Sequence, residues 1–243
     1  MSWYAYCLTE HHLTNGTRTR RPFLLDGVQG VNGATVLGYP SGEFAVIVSE
    51  FDRANSNLEE KHVLEHAHVV RACFRQGTVL PFRFGTIFDT EESLKQAVRS
   101  NRRAFGESVA RLKGKAEMHV KLLVRDGALK ELRDVEIPDT VGGEYLAKLR
   151  EKAVADRERT TKAKALSVQV HRLFNPLEEE ISCKRVDTDG ILIDIAHLID
   201  TKSIEKYQNR YSSAAKQLKN CEISVSGPWP PYHFLPGKLR TVA

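Results

Sequence analysis

Met118-His119-Val120-Lys121-Leu122-Leu123-Val124 is the stretch from which the fold of the second half of the chain is read. It is short, rich in apolar and β-branched residues, and closed by Asp126-Gly127, so it reads as a strand. A long helical pattern follows, opening near Gly142-Gly143-Glu144-Tyr145-Leu146 and running towards Phe174. Leu146, Leu149 and Ala153 form its early stripe, and Leu166, Val170 and Leu173 its late one. Its middle, from Arg157 to Lys164, is basic and poor in large apolar side chains, the composition of a helix surrounded by water. Residues 179–186 and 190–197 read as two strands joined at Asp187-Thr188-Asp189-Gly190, a hairpin signal. Ile204, Tyr207, Tyr211, Ala214 and Leu218 mark an amphipathic helix, and Cys221-Glu222-Ile223-Ser224-Val225-Ser226 a last strand. The order is β-α-β-β-α-β, the ferredoxin-like pattern. That pattern hosts many functions and names none.

The first half reads as strands, then helix, strand, helix. Ser2–Leu8 is an aromatic-rich strand, and residues 9–33 read as a loop with at most a short strand at Phe23-Leu24-Leu25. Arg18, Arg20 and Arg21 crowd that loop as a solvated basic cluster. Residues 34–38 and 43–51 flank the turn chemistry of Tyr39-Pro40-Ser41-Gly42. Both faces of the second of these strands are apolar, which suits a central position. A helix follows, with Asn57 as its cap, an apolar stripe of Leu58, Val63, Ala67, Val70 and Phe74, and an end at Gly77. His62 and His66, four apart, read as surface residues beside that stripe. Neither an HExxH arrangement nor a third ligand supports zinc. Thr78–Phe88 reads as a strand in which Pro81 forces an edge, bend or bulge. Arg83 stands between Phe82 and Phe84, where a guanidinium can stack or meet a buried acid. A second helix begins at Asp89-Thr90-Glu91-Glu92 and stops at Gly114.

The expected class is therefore α+β with two domains. Residues 1–115 form an N-terminal α+β domain. Residues 116–243 form a ferredoxin-like domain with a long first helix and a proline- and tryptophan-rich tail.

The tail, Ser226-Gly227-Pro228-Trp229-Pro230-Pro231-Tyr232-His233-Phe234, holds three prolines around a tryptophan. They exclude helix and central strand, and leave a stiff, extended segment that loses little entropy on docking. Such a tail either seals its own domain or also presents Trp229, Tyr232 and Phe234 to a partner.

With 243 residues the chain can bury a sizeable core without disulfides or metals. The four cysteines, Cys7, Cys73, Cys183 and Cys221, have neither CxxC nor finger spacing and read as free thiols of a reducing compartment. The net charge of +5 permits an anionic partner without requiring one. The N-terminus lacks the pattern of a signal peptide, and no apolar run approaches the ~20 residues of a membrane span, so a cytoplasmic protein is expected. GxSxG, Walker and HExxH motifs are absent from the sequence. The reading is of an interaction or assembly protein rather than an enzyme, with no catalytic, cofactor-binding or metal-binding residue assigned.

Three stretches carry a family resemblance. Val79-Leu80-Pro81-Phe82-Arg83-Phe84-Gly85-Thr86 resembles the LPxRFGT segment of the gas vesicle protein F/L family. Gly143-Glu144-Tyr145-Leu146 is similar to its G-x-YL helix start, and the Ser226–Phe234 tail to its GPWPPYxF ending. The run from Gly114 to Val124 fits the same pattern. The loop at 9–33 is longer than the family pattern, so no function tied to it is carried over. The resemblance implies a two-domain α+β protein with a ferredoxin-like variant at its C-terminus. It also implies an accessory or minor structural role in assembling gas vesicles, in the company of the hydrophobic major shell protein and other accessory proteins. It implies no cofactor, nucleic acid or membrane. Trp229, Tyr232, Phe234 and Arg83 are the candidate partner contacts. The competing readings are an RNA-binding ferredoxin-like protein, for which Phe82-Arg83-Phe84-Gly85 is a faint echo, and a small-molecule enzyme with an interdomain site.

Overall fold

The computed structural model describes residues 2–11, 22–53, 57–124, 141–177, 179–184, 191–218 and 221–235. The arginines at 18, 20 and 21 and the hairpin at 187–190 lie outside these. The fold is mixed α and β, with two sheets, and it separates into two compact units. The first comprises Met1–Glu117 and the chain from Trp229 onward, the second Met118–Pro228. The residues after Pro228 thus group with the first unit, whereas the sequence reading kept them with the second.

The first unit is built on a sheet of β1 (Ser2–Glu10), β2 (Phe23–Gln29), β3 (Thr35–Ser41), β4 (Phe44–Phe51), β5 (Val79–Pro81) and β6 (Ile87–Phe88). Its order is β2-β3-β4-β1-β5, with β6 also paired to β1. Strand β4 is central, as its doubly apolar pattern requires. Ile47 joins the cluster containing helix α1 (Glu60–Phe74), while Phe44 meets Phe105 of helix α2 (Glu91–Leu112) at 6.2 Å between ring centroids. Strand β2 corrects the loop reading of 9–33. It is largely exposed and lies at the sheet edge, so burial gave it no apolar alternation to read.

Helix α1 corrects two further readings. Its cap is Glu59, not Asn57, through a reciprocal box with His62. Its buried stripe is His62, His66, Val69, Val70 and Cys73, and Val63 faces solvent. The stripe is rotated because His62 and His66 are buried with polar partners, which a count of apolar residues does not register.

A Cβ at Gly30 would overlap the hydroxyl of fully buried Tyr6, and one at Gly38 would overlap the ring tip of Phe23. Phe23 lies at the surface and can swing aside, whereas Tyr6 cannot. Gly30→Ala is therefore expected to destabilise by about 1–3 kcal/mol and Gly38→Ala by less, measured by urea denaturation.

The second sheet has the order β10-β7-β9-β8, from β7 (Lys115–Val124), β8 (Glu180–Lys184), β9 (Ile191–Asp200) and β10 (Cys221–Trp229). Helix α3 (Val141–Phe174) joins β7 to β8, and α4 (Ile204–Gln217) joins β9 to β10. The core of this unit gathers Met118, Val120, Leu122, Val170, Phe174, Ile193, Ile195 and Tyr207. Phe174 lies 4.6 Å from Tyr207 between ring centroids. At 34 residues α3 is about 50 Å long. Every described side chain from Lys148 to Glu158 is exposed, whereas the basic middle read as surrounded by water, Arg157 to Lys164, is exposed at Arg157, Glu158, Thr161 and Lys164 but buries Ala163 in the core. Strand β10 continues through Pro228 to Trp229, past the end at Ser226 expected from the sequence, while keeping to the edge position that the prolines leave open. It can do so because it is the edge of its sheet, where a missing N–H leaves no ladder partner unpaired. No helix among the described residues is long and apolar enough to cross a membrane.

Candidate interaction surface

Strand β1 is the line along which the two most specific sequence motifs meet the first unit. The LPFRFGT segment runs antiparallel to it, with Cys7 opposite Pro81 and Leu8 opposite Leu80. Pro81 ends β5, and the chain turns through Gly85, whose φ of 84° favours glycine, before β6 rejoins β1 at Tyr4. The Thr86 N–H donates to the Arg83 carbonyl across this turn, at 3.1 Å. Phe82 is buried against Phe88, Phe84 is exposed at 38% and stands T-shaped to Tyr4 and His66, and the Arg83 side chain is exposed. Arg83 is thus not enclosed between its neighbouring phenylalanines.

The turn is tied to the helix by a polar relay. The Gly85 N–H donates to the Tyr4 hydroxyl at 3.2 Å, and that hydroxyl bonds His66 Nδ1 at 2.9 Å. In the neutral tautomer with its proton on Nε2, the imidazole accepts the Tyr4 proton at Nδ1. Burial pushes the Tyr4 hydroxyl up and His66 down to about 4, the Phe82 carbonyl opposing the latter only partly. Beside the relay, the Val31 N–H donates to the Tyr6 hydroxyl, which shares a hydrogen bond with Ser49, both at 2.8 Å. The Glu59 N–H donates to His62 Nδ1, so His62 Nε2–H donates to Asn32 Oδ1.

The sign of the His66 effect follows directly. The unfolded chain binds this proton near the ordinary pKa of 6.5, the folded protein only near 4. Stability from His66 is present above pH 6.5 and is lost as the pH falls towards 4, by roughly 3 kcal/mol in all. Urea midpoints between pH 7 and 4.5 should fall, and His66→Gln should remove that part of the slope.

The tail closes over the same unit. Trp229 is half-buried, with the Arg71 guanidinium 5.3 Å from its ring centroid. Pro230 and Pro231 are buried, and a 3-10 turn at Tyr232–Phe234 follows. Tyr232 packs against the cluster of Tyr4, Tyr6 and Cys7, and burial, with Cys7 and Glu117 nearby, pushes its hydroxyl well up. Glu117, 1% exposed, takes the His233 backbone N–H at 2.8 Å and meets His233 Nδ1 at 2.7 Å. Phe234 and Leu235 are buried, and Arg111 donates to the Phe234 carbonyl. Trp229, Tyr232 and Phe234 therefore sit together on one docked segment, with Arg83 on the separate β5–β6 turn.

Sequence reasoning gave no role to Arg71, Arg111 or Glu117. Glu117 entered only as part of the Gly114–Val124 family run, and its burial could not be read from parity, since Lys115, His119 and Lys121 share its parity on β7 and only Glu117 is fully buried. An open groove of about 660 Å³ between β2 and α1 was also missed, lined by Gly27, Gly30, Leu64, Glu65 and His68. Leu64 is 76% exposed. Leu64, His68 and Arg71 lie at i, i+4 and i+7 on the outer face of α1, leading along it to the Trp229 ring. Cys7 and Cys73 are buried free thiols.

Residues 2–236 match the family model described as gas vesicle synthesis protein GvpL/GvpF, and the chain belongs to that family. Gas vesicle protein F1 of Halobacterium salinarum is 25% identical over 232 residues, covering 94% of each chain. Gas vesicle protein L of a Streptomyces species is 23% identical over 242 residues, covering 88% of this chain and 89% of that one. The crystal structure of GvpF from Anabaena has a TM-score of 0.77 at 16% identity, over 97% of this chain and 96% of that one. That of GvpF from Microcystis aeruginosa has 0.72 at 20% identity, over 97% and 99%. The likeness in fold extends over both units.

Proposed function

We propose that this protein is an accessory or minor structural component needed for gas vesicle assembly, and that it binds the hydrophobic major shell protein. The carrying observation is the family match across residues 2–236, joined by relatives named as gas vesicle proteins. A shell that excludes water from its inner face needs subunits with a large apolar surface, and such a subunit free in water aggregates. An accessory protein that covers the surface until uptake prevents this. The reading places the protein in the cytoplasm and at the vesicle, with other accessory proteins as further partners, and gives it no catalytic role or cofactor.

The contact surface in this reading is the line Leu64, His68, Arg71 and Trp229, with Arg83 and Phe84 as a second candidate patch. Tyr232 and Phe234 serve by holding Trp229 in place. We also infer that Met118–Pro228 is a ferredoxin-like variant, supported by its β-α-β-β-α-β connectivity and the strand order β10-β7-β9-β8.

The test is co-expression with the major shell protein of the source organism in a neutral host. A soluble complex is expected, weakened by Leu64→Asp and by Trp229→Ala in variants whose thermal unfolding is otherwise preserved. A shell protein that stays insoluble with or without this chain would sink the chaperoning role. Binding untouched by both substitutions would sink the proposed surface.

A further inference from the structure

Two buried thiols have no part in the surfaces described so far. Cys7 lies on β1 and Cys73 in the last turn of α1, 0% and 6% exposed. Strict alternation along β1 would set Cys7 on the face opposite Tyr4 and Tyr6. A bulge prevents this. Ala5 stands opposite Val48 of β4 and Cys7 opposite Ile47, so Tyr6 is one residue more than the partner strand matches. Tyr6 and Cys7 are thereby both turned towards α1, and they share a buried cluster with Ile47, Val70 and Cys73. Within it the Cys7 and Cys73 thiols are hydrogen-bonded to each other. Tyr232 of the tail packs against the same cluster.

We propose that Cys7 and Cys73 form a redox pair that hydrogen peroxide closes into a disulfide, fastening the end of α1 to β1 beside the docked tail. The hydrogen bond from Cys7 holds Cys73 below the ordinary thiol range against the opposing effect of burial, while burial pushes Cys7 well up. Cys73 is therefore the attacking thiolate and Cys7 the resolving thiol. Peroxide is small, which suits a thiol so little exposed. The Cys73 sulfur attacks one peroxide oxygen and breaks the O–O bond, leaving a sulfenic acid and a hydroxide that takes up the Cys73 proton as water. The Cys7 sulfur then attacks the Cys73 sulfur, the S–S bond forms, and the sulfenic oxygen leaves with the Cys7 proton as a second water. The two thiols lose two electrons and two protons, and peroxide takes up both. The proposal does not rest on what the protein binds, and a failed co-expression would leave it standing.

The full chain is treated with hydrogen peroxide, the remaining thiols are alkylated in denaturant, and the unreduced digest is read by mass spectrometry. A pair of peptides linked through Cys7 and Cys73 is expected, and dithiothreitol should abolish it. Cys7→Ala should leave Cys73 as a sulfenic acid that dimedone traps, whereas Cys73→Ala should leave Cys7 a free thiol. Circular dichroism checks that both variants are folded. The bridge closes a loop of about 65 residues, so at the urea midpoint of the reduced chain the oxidised one should be unfolded about tenfold less or better. Trp3 and Trp229 report that transition, since both belong to the first unit. Cys7 and Cys73 both alkylated after treatment, or either joined instead to Cys183 or Cys221, would overturn the proposal. Dimedone on Cys7 in the Cys73→Ala chain would overturn the order of attack, and an unchanged urea midpoint the fastening.

Discussion

Phe174→Ala should lower the stability of the second unit by about 3–5 kcal/mol, the largest effect expected of any single change there. Phe174 is fully buried, tilted against Tyr207, and 5.7 Å from His197 between ring centroids. It is also the last residue of α3, so its ring anchors the long helix to the sheet at one end. Truncation would leave a cavity bordered by a tyrosine and a histidine that are themselves hydrogen-bonded to each other. Those two cannot collapse inward without losing that bond. The measurement separates the units. Both tryptophans, Trp3 and Trp229, belong to the first unit. The urea transition seen by far-ultraviolet circular dichroism should acquire an early phase, while the tryptophan fluorescence transition stays in place. A fluorescence midpoint shifted as far as the dichroism midpoint would show that the units unfold as one.

Phe234→Ala should have the opposite signature, a loss of roughly 3 kcal/mol seen by fluorescence first. Its ring is 5% exposed, at the end of a segment held by Glu117, Arg111 and the packing of Tyr232. Without it the 3-10 turn loses its apolar anchor, and Trp229 should lose its place beside Arg71, shifting its emission to the red. Glu117→Gln should show the same red shift to a smaller degree, because an amide oxygen can still accept the backbone N–H but no longer offers a second carboxylate oxygen to His233 Nδ1. If the red shift occurs and shell-protein binding falls with it, Trp229 acts from the docked tail. If binding rises instead, the tail covers the contact surface and must leave it.

Elements that bury one face of a regular repeat were legible in the sequence. Helices α2, α3 and α4 place apolar residues at helical spacing, and strand β4 was legible instead as a short run, apolar on both faces, that follows turn chemistry. The proline at 81 marked the break between β5 and β6 for the same kind of local reason. Strand β2 was legible only at Phe23-Leu24-Leu25 and not on to Gln29, because an exposed edge strand needs no apolar alternation. The stripe of α1 was misplaced, because two of its inward positions are histidines whose partners, Tyr4 and Asn32, lie far away in the chain.

The sequence by itself determined the family, the α+β class and the stiffness of the tail, since motifs, periodicity and proline are properties of neighbouring residues. Only the tertiary structure decided where the tail goes and which of its side chains remain available. It buried Phe234, left Trp229 half open under Arg71, and made Glu117, the one acid among Lys115, His119 and Lys121, the acceptor for His233. The physical reason is that burial and hydrogen-bond satisfaction belong to pairs of groups brought together across the fold. Glu117 and His233 are separated by 116 residues.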